Sequence, residues 1–330
     1  MTMPEERTMP GRNIAALIAL AVLTLASAAQ AQNYPLRPIR MIVPFAAGGG
    51  SDISARLLAD GAGPLLGQTI VIDNRGGAGS VLGTDIASKA APDGYTLLLG
   101  NISLAFNAAL YKQLPYNAIR DLATISLATE QPNIIVTHPS LPAKNFQEFV
   151  ALARAQPGKL TYGSAGLGSG THLAMEMLML SQKLDMVHVP YKGTGPAITA
   201  LLGNQIGSFL STFASALPQI KAGRMRGIAV TSSKRAPTLP EVPTVAESGV
   251  PGFDYSTWYG VLAPVRTPKP IIDKLNKTIV AALNTPDMQQ RYAAQGMDPR
   301  PTTTAEFAAL LKSETAKWAK VVREAKIPQQ

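Results

Sequence analysis

Three glycine-rich loops, each between a short apolar run and a helix-like stretch, constrain this chain more than any other feature. They read PFAAGGGSD over 44–52, GSAGLGSGT over 163–171 and PYKGTGP over 190–196. Apolar runs at 39–45, 69–72 and 95–99 read as strands, and 52–60 and 83–89 read as helices, with Ser51 the expected N-cap of the first. Strand and helix alternate, which predicts a parallel sheet. The pattern then resets: strands at 134–137, 160–163, 186–189, 206–210 and 227–231 enclose helices at 146–155, 172–181 and 196–202. Residues 232–252 are rich in Pro and Ser and show little periodicity; a strand at 258–262 follows. Two helices should follow Pro268 and Pro286, capped by Thr267 and Thr285, and a capping box, Thr303 with Glu306, should open the last. The fold class expected is therefore α/β, in two units.

Each loop would present backbone N–H groups and hydroxyls at the start of a helix, where donors are unsatisfied and the dipole leaves about half a positive charge. That is an anion site built without a charged side chain. The plain alternative is three ordinary capped turns. The stretch RGGAGSVLG over 75–83 follows a strand, but its glycine spacing and the Leu at position 97 do not fit a dinucleotide site. Ser169 stands one position late for a nucleophile elbow, and no triad accompanies it. His172 reads as a first-turn residue near the cleft and His188 as a strand residue. Asp52 could meet a ligand amine or simply favour the helix dipole. Met175, Met177 and Met179 read as core filling.

Composition narrows the class. The 330 residues hold no Cys and three His, which excludes thiolate metal sites, disulfides and a cysteine nucleophile and predicts no metal centre and no cofactor. The net charge of +9 comes from scattered Lys and Arg, so no nucleic-acid face is expected. At the N-terminus, Arg7 and Arg12 precede a 12-residue apolar stretch and Ala29-Gln30-Ala31. That order is a secretory signal peptide, residues 1–31, cleaved after Ala31, with Met9 an alternative start. An exported, periplasmic protein is expected.

The run YPxxPIRxIVPFxxGGGSD over 34–52 resembles the opening signature of the Bug family, the periplasmic substrate-binding proteins of tripartite tricarboxylate transporters. The likeness continues through DNRxGAG at 73–79, APDGYTL at 91–97, VHVPYKG at 187–193, SALPxIxAG at 215–223, LPxVPT at 239–244 and WAKVV at 318–322. It implies a two-lobed periplasmic binding fold of the type II kind, with lobe 1 at 32–129 plus 257–330, lobe 2 at 130–256, and two hinge-crossing strands near Leu127 and Tyr259. It implies a small carboxylate (a dicarboxylate, tricarboxylate or aromatic carboxylate) held in the cleft, hinge closure around it, and delivery by a monomer to membrane permease subunits. The ligand contacts it implies are Phe45, Ala47, Gly48, Gly49, Gly50, Ser51 and Asp52 on the first loop. Ser164, Gly168, Ser169, Thr171 and His172 face them, with Tyr191, Lys192 and Gly193 on the third loop. Asn101 and Ser103 form the floor, and Thr212 and Trp258 complete the set. Ser211-Thr212 stands where relatives often carry Asp-Asn, which favours a plain carboxylate over an amino acid. Phe45, Tyr191, Phe213 and Trp258 could be cleft walls or core. A ligand sensor with a membrane signalling partner, or an exported hydrolase, is the alternative to a transport receptor.

Overall fold

The computed structural model describes residues 34–324 and residue 329; the signal-peptide segment lies outside them. Strands β1 (Ile39–Val43), β2 (Ile70–Asn74) and β3 (Thr96–Asn101) are parallel neighbours, linked by helices α1 (Gly50–Leu66) and α2 (Val81–Ser88). A buried helix α3 (Ser103–Leu110) and a single turn α4 (Ala118–Asp121) follow. Strand β4 (Leu122–Thr137) then runs for 16 residues. The second unit contains α5 (Phe146–Ala155), β5 (Thr161–Ser164), α6 (Gly170–Gln182), β6 (Val187–Pro190), α7 (Thr194–Leu202), β7 (Ser208–Thr212), α8 (Phe213–Lys221) and β8 (Arg226–Val230). The chain returns through β9 (Ser256–Pro264), α9 (Lys269–Leu283), α10 (Pro286–Ala294), the short β10 (Asp298–Pro299) and α11 (Thr304–Glu324).

The strand order is β2-β1-β3-β9-β4-β7-β5-β6, with β10 and β8 also paired to β4. Residues 122–132 of β4 pair antiparallel with β9, whereas residues 133–137 pair with β7 and β8. One strand thus leaves the first sheet and enters the second at Pro132/Asn133. Pro cannot donate to a ladder, and it stands where the ladder changes partners. Register shifts between Thr124/Ser126 and Leu127/Thr129 bend the same stretch. Helices cover both faces, as a parallel sheet requires. One core layer is built on α1 and α9, with Leu58 and Ile279 buried. Another is built on α3, α6 and α11, where Trp318 packs edge-on against Phe106 (5.6 Å) and Tyr255 (5.9 Å).

The capping box is formed: the Thr303 N–H donates to Glu306 Oε2 (2.8 Å) and the Glu306 N–H to Thr303 Oγ1 (3.2 Å). Thr285 caps α10 through the Met288 N–H. Two cap expectations are corrected. The residue before α9 is Pro268, and the Thr267 hydroxyl is buried without a hydrogen-bond partner. The N-cap of α1 is Gly49, and Ser51 lies inside the first turn, so the cap is made without a side chain.

Candidate ligand site

The first turns of four helices converge on one small cavity between the two sheets. Gly49 opens α1, Ser169 opens α6, Thr194 begins α7 and Thr212 opens α8, and all four line the cavity. Phe45, Ser51, Asn101, Thr257 and Tyr259 complete the side of the first sheet; Ala165, Gly170 and Thr171 complete the other. No charged side chain lines it. A carboxylate there would be met by helix dipoles and neutral donors, each helix start contributing up to ~2 kcal/mol when partly buried. Helices α1, α7 and α8 have no side-chain cap, so their amide ends are not occupied by their own N-cap residue.

The two halves already touch. The Ala46 N–H donates to the Lys192 carbonyl (3.0 Å), the Gly50 N–H to Thr212 Oγ1 (3.3 Å), and Tyr111 to the Leu167 carbonyl (3.2 Å). The cavity left between them is about 20 Å³, the room of roughly one water molecule. Glycine makes this approach possible. A Cβ on Gly195 would lie 2.3 Å from the Ala47 carbonyl oxygen, and one on Gly79 would lie 2.3 Å from that of Leu167. The stretch at 75–83, which does not fit a nucleotide site, is thus part of the seam between the halves.

Of the residues expected at the site, Phe45, Gly49, Ser51, Asn101, Ser169, Thr171 and Thr212 line the cavity. Others are engaged elsewhere. Asp52 accepts from the Gly48 N–H (3.0 Å) and pairs with Arg56 (3.0 Å), so its charge is turned to its own loop. Ala47, Lys192 and Gly193 lie on the seam, Lys192 through its carbonyl while its side chain is exposed. Tyr191 joins its N–H to the Ser164 carbonyl beside the seam. Ser103 starts α3, and its N–H donates to Asn101 Oδ1 (3.0 Å). Trp258 faces away: in β9, Thr257 and Tyr259 line the cavity, so the residue between them points to the opposite face and packs on Phe307 (5.6 Å). Phe213 is likewise fully buried in the core. Thr194, Thr257, Tyr259 and the neighbouring Gln131 were not legible as site residues. Only the β4–β9 register brings Gln131 and Tyr259 to the floor.

The second loop is shaped from beneath. Gly168 donates its N–H to His172 Nδ1 (3.3 Å), and Gly166 donates to Ser164 Oγ (3.1 Å), which also bonds His188 Nε2 (2.7 Å). The rings of His172 and His188 stack at 4.2 Å, and Tyr162 stacks on His188 at 4.8 Å and donates to Glu176. His172 therefore supports the loop from within. Burial lowers both histidine pKa values from 6.5 to about 4. In the unfolded chain they regain the ordinary value, so the unfolded state binds more protons between pH 6.5 and about 4. Stability should be complete above pH 6.5 and fall as the pH drops through that window. Urea unfolding followed from pH 7 to pH 4 checks this, with a flatter profile expected for His172→Gln.

A larger cavity, about 530 Å³, lies behind β4 among Glu130, Lys234, Arg235, Asp254, Asp298 and Arg300. Within it Arg300 stands 3.5 Å from Glu130, and Arg235 is drawn to Glu247 outside it at 2.8 Å. No helix starts converge there, so the smaller front cavity is the better candidate site.

A family model described as the tripartite tricarboxylate transporter family receptor matches residues 54–327. The chain belongs to this receptor family. BugT of Bordetella pertussis is 39% identical over 93% of this chain and 95% of its own. The solved periplasmic binding protein BugD is 37% identical, with a TM-score of 0.88 over 90% of this chain and 100% of that one. Rpa4515 of R. palustris, solved with adipate, is 32% identical with a TM-score of 0.87, covering 90% and 100%. MatC of Rhodopseudomonas palustris, solved with malate, is 34% identical with a TM-score of 0.84, covering 88% and 100%. This receptor is thus a solute-binding protein of the Bug type with the two-lobed fold of periplasmic binding proteins. Among its described residues no helix is long and apolar enough to cross a membrane.

Proposed function

We propose that this receptor is exported, cleaved after Ala31, and captures a short dicarboxylate in the cavity between its lobes, then carries it to the permease of a tripartite tricarboxylate transporter. The observation that carries the reading is the convergence of helices α1, α6, α7 and α8 on a cavity with no charged side chain. Each end of a diacid would meet helix starts from a different lobe. The change of sheet at Pro132/Asn133 and the return at Ser256 support a lobe division close to 130 and 256. With room for about one water between the touching halves, the lobes must part to admit any acid, and a short slender chain asks for the least parting. Adipate and malate, the acids bound by two solved relatives, are of this kind. A bound acid stabilises the closed state by its differential affinity for it.

Thermal unfolding of the mature chain with malate, adipate, citrate, benzoate, amino acids and nucleotides tests the assignment. A diacid at a hundred times its Kd adds about 2.7 kcal/mol. That corresponds to a rise in Tm of roughly 5–10 °C. A shift with nucleotides and none with any carboxylate would overturn the proposal.

A further inference from the structure

We infer that Gln131 is a positioning residue that makes the Tyr259 hydroxyl a hydrogen-bond donor to the bound acid. The inference rests on the carboxylate reading above and extends it to residues at the hinge.

Gln131 stands on β4 one residue before the change of sheet, and it is 1% exposed. Its side-chain oxygen accepts the N–H of Ala214 (3.0 Å), in the first turn of α8. A main-chain N–H can only donate, so this contact fixes which end of the amide is which. The amide nitrogen must then face Tyr259, and it donates to the Tyr259 hydroxyl at 2.8 Å. Having accepted there, the Tyr259 oxygen keeps its own proton for another direction. Tyr259 and Ser51 both line the cavity. With its oxygen accepting from Gln131, the Tyr259 hydroxyl has its own proton to offer the cavity. A chain of fixed polarity therefore runs from the start of α8 in one lobe, through Gln131, to a donor in the other. The packing holds it tightly: a Cβ on Gly50 would lie 2.3 Å from Gln131 Nε2 and 2.6 Å from the Tyr259 hydroxyl.

Gln131 also borders the cavity behind β4, whose charged lining is Glu130, Lys234, Arg235, Asp254, Asp298 and Arg300. Asp52, in the first turn of α1, is held by Gly48 and Arg56, and Glu130 lies on the other face of β4 near Arg300. The first turn of α8 has no acid, and the neighbours Thr257 and Trp258 on β9 are uncharged. Tyr259 is the titratable group in direct hydrogen-bond contact with Gln131.

A carboxylate at position 131 would still accept the Ala214 N–H, but it would also accept a hydrogen bond from the Tyr259 hydroxyl and reverse the chain. Affinities for malate and adipate should be measured by titration calorimetry at pH 8 and pH 5.5, each divided by the wild-type value at the same pH. Tyr259→Phe should weaken binding about 10- to 100-fold at both, the worth of one hydrogen bond to a charged group. Gln131→Glu should weaken it similarly at pH 8 and recover at pH 5.5, where the protonated acid can donate as the amide did. Adding Tyr259→Phe to Gln131→Glu at pH 8 should cost less than about twofold more, because the two changes remove the same donor. A folded Tyr259→Phe variant with wild-type affinity overturns the inference. So does a Gln131→Glu loss that ignores pH, or one that adds fully to that of Tyr259→Phe, which would mark simple charge repulsion. Should Gln131→Glu fail to fold, the isosteric Tyr259→Phe decides alone. A wild type that binds no diacid overturns the functional reading together with this one; a wild type that binds beside an unaffected Tyr259→Phe overturns this one only.

Discussion

Gly195→Ala is expected to weaken diacid binding roughly 10- to 100-fold and to erase most of the ligand-induced rise in Tm, while the unliganded chain keeps or gains stability. Gly195 is the second residue of α7, and a Cβ there would lie 2.3 Å from the Ala47 carbonyl oxygen in the facing lobe. Atoms essentially never sit that close, and the partner is backbone, so the lobes must stand apart. Overpacking of this kind costs typically 1–3 kcal/mol. The cost falls on the closed state alone and so is subtracted from affinity. In the open state the same methyl meets solvent, and within a helix alanine is favoured over glycine by up to ~1 kcal/mol. Opposite signs for stability and affinity are the signature to look for. Fluorimetric melting with and without malate reads both, and a variant that binds like wild type would show that closure does not follow this seam.

Phe307→Ala is expected to have the opposite profile: a large loss of stability with little change in affinity per folded molecule. Phe307 is fully buried on α11, its ring edge-on to Trp258 at 5.6 Å. It fills the notch left by Gly260 on β9, where a Cβ would come within 2.3 Å of the ring. Removing such a ring leaves a cavity in a core that cannot collapse onto it, at a cost of about 3–5 kcal/mol. The Tm should fall on the order of 10 °C. Because Phe307 lies on the face of β9 away from Tyr259, calorimetry at a temperature where the variant is folded should return a near-normal Kd for the diacid.

Those two positions also mark what could be read in the sequence. The glycine loops, the alternation of strand and helix and the capping box of Thr303 and Glu306 are local signals, and local chemistry decides them. The crossing strand β4 is not local. Its middle is polar and contains Pro132, which argues against a central strand, and only the exchange of partners there makes a proline acceptable. Helix α3 escaped because Ser103–Leu110 is apolar on nearly every side, and without alternation there is no period to detect. At the site, the resemblance supplied the loops, but register supplied the floor. Trp258 is among the residues expected at the cleft, whereas the pleat of β9 sends Tyr259 to the cavity and Trp258 to the core. Gln131 carries no motif at all, and its place follows from a contact with a tyrosine 128 residues further along the chain.

The passage of β4 from one sheet into the other has a mechanical consequence. A single backbone ribbon is woven into both halves, so neither half can melt while leaving the other's edge intact, and heating should yield one calorimetric peak. If the halves part as proposed, the movement would have to be taken up by the twist of this ribbon around Pro132.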